Sequence, residues 1–319
     1  MEKNFVVGVD IGGQTTKCGV VDLRGTVLAQ TVIRTDTYTT PEPYVAELAA
    51  ALKRIIVEAN AEGQIRGIGV GAPNANYYTG EIQNAVNLTW GGQSVVKFAE
   101  MLEEAVGGIP VTLTNDANAA AMGEMAYGVA KGMKDFIMIT LGTGVGSGIV
   151  INGQMVYGHD GFAGELGHTT MVRHNGRQCN CGKTGCLEAY CSAVGVARTA
   201  REWLEMTNEP SLLRKYDNLT SKDVKDAADE GDALAKRIFD YTGNMLGAAF
   251  ANFIEFSAPE AIILFGGLAR SKEYLTEPII KSMNEHVLPF WRGKVQLLYT
   301  ALKESDAAIL GASALAWEK

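Results

Sequence analysis

Cys179-Asn-Cys181-Gly-Lys-Thr-Gly-Cys186 packs three thiols into eight residues, with Glu165-Leu-Gly-His168 ahead of it and Glu188 just behind. Thiolates separated by glycine-rich turns can converge on one tetrahedral metal, and a histidine eleven residues upstream of Cys179 can supply the fourth ligand. His168, Cys179, Cys181 and Cys186 are therefore expected to hold zinc. Four protein ligands leave such an ion no open position for chemistry, so it would fix a loop while Glu165 and Glu188 meet a substrate.

A second group of residues suits phosphate. The β-rich run Phe5 to Val9 enters Asp10-Ile-Gly-Gly-Gln-Thr-Thr-Lys17, then strands at Cys18 to Val21 and Val27 to Ile33. The pattern returns at Phe136 to Leu141, Gly142-Thr-Gly-Val-Gly-Ser-Gly148 and Ile149 to Ile151, followed by an Asn152-Gly153 turn and Met155 to Tyr157. Either loop alone reads as a turn or as a phosphate site. Glycine bares backbone N–H groups to which phosphate oxygens can come close. Neither loop ends in the Gly-Lys-Ser/Thr of a Walker motif, and a strand follows each where a dinucleotide fold would place a helix. With a third glycine pair, Gly266-Gly267, two such hairpins fit an ATP cleft between two similar domains.

Asn115-Asp116 falls between a strand at Pro110 to Thr114 and a helix at Ala117 to Ala126. In open α/β folds that junction is where ligands meet the strands' carboxyl ends, so Asp116 reads either as a helix cap or as a carboxylate aimed at a ligand. The other expected elements are a helix over Glu42 to Ala61 and a strand over Gln64 to Gly71. Helices follow over Leu187 to Met206, Lys222 to Asp229 and Asp232 to Glu255, then a strand over Ala261 to Phe265. A helix over Tyr274 to His286, a strand over Val295 to Tyr299 and a helix over Ala307 to Trp317 close the chain. The fold class is α/β with two similar domains. Residues 1–116 form the first and 117–302 a larger second carrying the zinc loop, while the last helix, about 303–319, returns to the first.

The chain's 319 residues, 47% hydrophobic and 20% charged, suit a globular two-domain protein. A net charge of −8 argues against nucleic acid and anionic membranes as partners. The start Met-Glu-Lys-Asn enters a strand with no leader pattern, and no apolar run approaches a membrane span. Three of five cysteines lie in the cluster, which suits a reducing cytoplasm, and Cys18 and Cys191 read as small core residues.

These motifs resemble the ROK family of sugar kinases and sugar-responsive repressors, within the wider group of the actin and hexokinase ATPase fold (ribonuclease H-like). The resemblance covers the whole chain. It rests on Asp10-Ile-Gly-Gly, Leu113-Thr-Asn-Asp-Ala-Asn-Ala-Ala-Ala121, Leu141-Gly-Thr-Gly-Val-Gly-Ser-Gly148, Gly164-Glu-Leu-Gly-His168, the cysteine cluster with Glu188, and Phe265-Gly-Gly-Leu268. Nine residues precede Asp10, too few for the DNA-binding module of the repressors, so the kinase branch is expected, nearest to bacterial ATP-dependent glucokinases.

The resemblance implies that Asp116 takes the proton of the attacking sugar hydroxyl, with Asn115, Asp116, Glu165, His168 and Glu188 contacting the sugar. His168 would use one ring nitrogen on zinc and turn the other to the sugar. Asp10 would lie near the magnesium–phosphate complex, with Gly12, Gly13, Gln14, Thr15, Thr143 and Gly144 around the phosphates and Gly267 beside adenosine. The first loop departs from the family pattern, since Gln14 and Thr15 stand where a threonine and a lysine are common. Expected cofactors are ATP, Mg2+ and structural Zn2+, and the expected assembly is a homodimer or higher homo-oligomer formed through the second domain. Glucose is the favoured substrate, with N-acetylmannosamine, N-acetylglucosamine or fructose as alternatives. Two other readings are a non-catalytic sugar sensor and an enzyme whose zinc is itself catalytic.

Overall fold

The structure is a computed structural model that describes residues 3–92 and 94–317. The β-branched run of β1 (Phe5–Ile11) pairs antiparallel with β2 (Thr15–Asp22), which pairs with β3 (Val27–Arg34). Helix α1 (Pro41–Glu58) opens on a proline whose missing N–H costs nothing in a first turn, and it buries Tyr44, Leu48, Leu52 and Ile55 along one stripe. Strand β4 (Ile65–Gly71) then joins β1 in parallel. A small sheet of β5 (Ala75–Asn76), β6 (Glu81–Gln83) and β7 (Val95–Val96) and helix α2 (Phe98–Val106) follow, and β8 (Val111–Thr114) completes a sheet of order β3-β2-β1-β4-β8.

Helix α3 (Asp116–Tyr127) leads into the second half. There β9 (Phe136–Leu141), β10 (Val145–Ile151) and β11 (Gln154–Met155) form a meander, and the cysteine loop leads to α4 (Glu188–Cys191) and α5 (Ala193–Met206). Helices α6 (Ser221–Asp229) and α7 (Ala233–Ser257) precede β12 (Ala261–Phe265), α8 (Lys272–His286) and β13 (Gln296–Tyr299). The second sheet has the order β11-β10-β9-β12-β13, so both sheets consist of an antiparallel meander extended by two parallel strands. Its core runs from Ile137 and Leu141 to Phe239, Phe250 and Ile262.

Helix α9 (Glu304–Leu315) leaves the second sheet and lies on the first. A Cβ at Gly8 would stand 2.0 Å from the Ile309 carbonyl oxygen, and one at Gly69 1.9 Å from that of Ala312. Only glycine lets the helix seat on β1 and β4. None of the described helices is long and apolar enough to cross a membrane.

Two expectations need correction. The segment Leu187 to Met206 is not one helix, because Ser192 is extended (φ −77°, ψ 169°) and divides α4 from α5. The Ser192 hydroxyl accepts from Gly195 N at 3.0 Å and so caps the second piece. The run Met155 to Tyr157 is strand only at Gln154–Met155, since Tyr157 turns aside to stack on Tyr77, centroids 3.9 Å apart and planes 6° from parallel.

Candidate active site

The first hairpin loop is closed by Gly12 N donating to Thr15 O at 3.0 Å, and Thr35 N donates to Gln14 O at 2.9 Å. Gln14 is exposed, and Asp10 pairs across the hairpin with Lys17. In register Asp10, Gly71 and Thr114 form one row across the carboxyl ends of β1, β4 and β8. Asp116 follows two residues beyond that row. The second loop closes through Gly142 N and Gly144 O at 3.0 Å and leaves Thr143 exposed. A Cβ on Gly144 would come within 2.4 Å of Glu188 Oε2, the oxygen that accepts from Val145 N at 2.9 Å. The backbone of the second loop therefore touches Glu188 itself.

Asn115 is the N-cap of α3, its Oδ1 accepting from Ala117 N at 2.8 Å, and Asp116 Oδ1 accepts from the same N–H at 2.8 Å. Asp116 is exposed at the strand ends, and the protein around it still partly desolvates its carboxylate. Desolvation raises its pKa, and the Ala117 N–H opposes that rise. Glu165 is raised in the same sense, first by desolvation, with the Asp116 and Glu188 charges adding and His168 opposing. The three carboxylates thus share one field. His168 Nε2 lies 3.9 Å from Glu165 Oε2, which puts that edge of the ring on the carboxylate side.

Burial pushes the Asp10 carboxyl up to about 6, with Asp116 adding and Lys17 opposing. Between its ordinary value and the raised one, folded protein holds a proton that the unfolded chain has lost. The ligand-free protein is therefore expected to lose stability as pH rises from about 4 to 6, by about 3 kcal/mol from this group. Asp116 and Glu165 act in the same direction. Urea titrations across this range check it. Asp10→Asn should flatten the slope, whereas an unchanged slope would remove Asp10 as its source.

The four metal-ligand candidates converge. One ligand atom from each of His168, Cys179, Cys181 and Cys186 lies within 4.8 Å of every other. Cys181 and Cys186 Sγ are 3.7 Å apart, and Cys179 Sγ is 3.8 Å from His168 Nδ1. Sulfur ligands placed tetrahedrally about 2.3 Å from zinc stand about 3.8 Å apart, so the donor set fits that ion. Lys183 Nζ donates to His168 O at 2.8 Å, and Cys179 Sγ lies 3.5 Å from Glu188 Oε1. The metal ligands consequently abut both glutamates.

Gly266 and Gly267 follow the carboxyl end of β12; Gly267 is exposed, and a cavity of about 360 Å3 opens beside Gly266, Ala269, Tyr299 and Thr300. Sequence reasoning missed three supports. Buried Ser147 donates to Gly164 O and accepts from Leu166 N at 3.1 Å, and so holds the backbone on either side of Glu165. Asn76 Nδ2 donates to Asp160 O at 2.6 Å, and Tyr78 OH to Gly158 O at 2.9 Å, tying the first half to the loop that leads to Glu165. Arg177 anchors the cysteine loop to Glu202. Only Ser147 carried a signal, a hydroxyl within the second glycine loop.

Comparison with known proteins gives a consistent result. The profile of the ROK family matches residues 6–319. The chain is 38% identical to a glucokinase of Halalkalibacterium halodurans over 98% of its own length and 94% of that protein's. It is 32% identical to a glucokinase of Thermotoga maritima, covering 100% and 99% of the two chains. A ROK family glucokinase from Streptomyces griseus, solved in complex with glucose and AMPPNP, superposes with a TM-score of 0.79 at 33% identity, covering 99% of this chain and all of that one.

Proposed function

The chain belongs to the ROK family and has the two-domain α/β fold of the actin and hexokinase type, and from that premise we propose how its cleft works. The protein is an ATP-dependent glucokinase: it transfers the γ-phosphoryl group of ATP to the 6-hydroxyl of glucose, giving glucose 6-phosphate. The observation that carries the residue assignments is the meeting of Asp116, Glu165, Glu188 and His168 at a cleft bordered by two glycine hairpins.

Asn115 Nδ2, Glu165, Glu188 and the outer edge of His168 hold the sugar hydroxyls, the carboxylates accepting bonds and the amide donating. Asp116, ionised, accepts the proton of the 6-hydroxyl as its oxygen attacks the γ-phosphorus, and the bond to the β-bridging oxygen breaks to release ADP. The phosphates of MgATP would lie against Gly12, Gly13, Gln14, Thr15, Thr143 and Gly144, with Asp10 on the magnesium side and adenosine near Gly267. The raised Asp10 carboxyl, pushed up further by the Asp116 charge, suits a dication, which would relieve it. His168, Cys179, Cys181 and Cys186 would hold zinc, and the ion would supply structure by orienting His168 and the loop against Glu188.

We assign residues 1–116 with the last helix to one domain and 117–302 to the other, and read the protein as a cytoplasmic homodimer or higher homo-oligomer. Exposed Phe256, Leu288 and Phe290 on the second half support self-association there. The test is magnesium-dependent ADP release across glucose, mannose, fructose, allose, N-acetylglucosamine and N-acetylmannosamine. Turnover is expected to be greatest on glucose. Preference for an acetylated sugar would move the substrate, and binding without turnover would overturn the kinase assignment.

A further inference from the structure

The break between α4 and α5 changes which groups share hydrogen bonds. In an unbroken helix Ala193 N–H would donate to Ala189 C=O, four residues back. Here it donates to Gly142 O at 2.8 Å, which holds the second glycine loop. The Ala189 carbonyl instead accepts from Arg177 Nη1 at 3.1 Å, and the same nitrogen reaches Gly195 O, across the break, at 3.3 Å. The other edge of the guanidinium, Nε and Nη2, donates to Glu202 Oε2 at 3.1 and 2.6 Å, and its face lies 4.6 Å from the centre of the Tyr190 ring. Arg177 N donates to Tyr190 OH at 2.8 Å, and the side chain is only 9% exposed.

We propose that Arg177 is a positioning residue: it replaces the helix hydrogen bond lost at Ser192 and so keeps α4, with Glu188, and the Gly142–Gly144 loop in one register. The inference rests on the kinase reading of the cleft. Without Arg177 the Ala189 carbonyl loses its protein partner, and the donor that an unbroken helix would offer it is Ala193 N–H, whose capture would rebuild the helix and release Gly142. Glu188 keeps its bond from Val145 N and its contact with Cys179, so the nucleotide side is affected more than the sugar side. Glu202 keeps Arg198 Nε at 2.8 Å, so removing Arg177 leaves no unpaired carboxylate to prevent folding.

The experiment compares wild type with Arg177→Met and Arg177→Lys, after circular dichroism and zinc content have been matched, by steady-state kinetics and by ATP calorimetry without sugar. In Arg177→Met the KM and Kd for ATP are expected to rise about tenfold, with the KM for glucose changing less than about threefold. Arg177→Lys, with the cation and one donor, should fall between. If kcat falls while both KM values stay at wild type, or if nothing changes, Arg177 serves folding alone and the proposal is overturned. Should Arg177→Met fail to fold, Arg177→Lys alone decides by the same KM split. Wild-type turnover on glucose, run alongside, tests the kinase reading separately.

Discussion

Replacing Asp116 by asparagine is expected to lower kcat on glucose about a thousandfold, within the range for loss of a general base, while shifting sugar affinity by less than about tenfold. The amide matches the carboxylate in shape and can still accept from Ala117 N, so the start of α3 survives. It cannot take a proton from the attacking hydroxyl. A role limited to helix capping would instead give lower stability with unchanged turnover, and the cap is Asn115, whose Oδ1 already accepts from Ala117 N. The pH profile supplies a second check. Desolvation raises the Asp116 pKa, so protonated, inactive enzyme persists to higher pH than at an ordinary aspartate, and turnover climbs as that proton leaves. In Asp116→Asn this limb should disappear from the residual rate. Single-turnover kinetics with calorimetry for glucose would separate chemistry from binding, and a variant with intact turnover would remove Asp116 from the role of base.

Much of this cleft was legible because its signals are local. The ligand spacing of Cys179, Cys181 and Cys186 is complete within one loop, and the duplicated hairpins repeat a pattern of strand, glycine turn and strand that needs no knowledge of the rest of the chain. What stayed hidden depends on distant partners. Nothing in the helix-favouring composition of Leu187 to Met206 forbids a continuous helix; the break at Ser192 accompanies a bond from Ala193 N to Gly142 O, about fifty positions back. Asn76 follows a glycine, a proline and another asparagine and reads locally as a turn residue, and nothing near it in the chain foretells that its amide donates to Asp160 O, 84 positions on. The capping role at the β8–α3 junction was foreseen as an option at Asp116. It falls one residue earlier because Asn115 is extended at ψ 147° while Asp116 already begins the helix.

Metal removal should have the other large effect, and its signature follows from what the cysteine loop touches. Cys179 lies against Glu188 Oε1, His168 against Glu165, and Lys183 against the His168 carbonyl, so one ordered loop fixes both carboxylates that we propose face the sugar. Cys181 is exposed and Cys179 and Cys186 are buried, which makes Cys181→Ser the ligand change least damaging to packing. In Cys181→Ser, or after treatment with a strong chelator, bound zinc is expected to fall well below one per chain and the Kd for glucose to rise at least about tenfold, a loss of about 1.4 kcal/mol. Thermal stability of the second domain should fall with it, and added zinc should restore all three in chelated wild type but not fully in the variant. A structural ion lowers binding and stability together because both depend on the same loop. A catalytic ion would behave differently: sugar binding would survive its loss while phosphoryl transfer stopped, and exchange for cobalt would change the rate of the chemical step. Measuring zinc content, glucose Kd and single-turnover rate on one preparation distinguishes these cases, and intact glucose binding in a zinc-free protein would overturn the structural role.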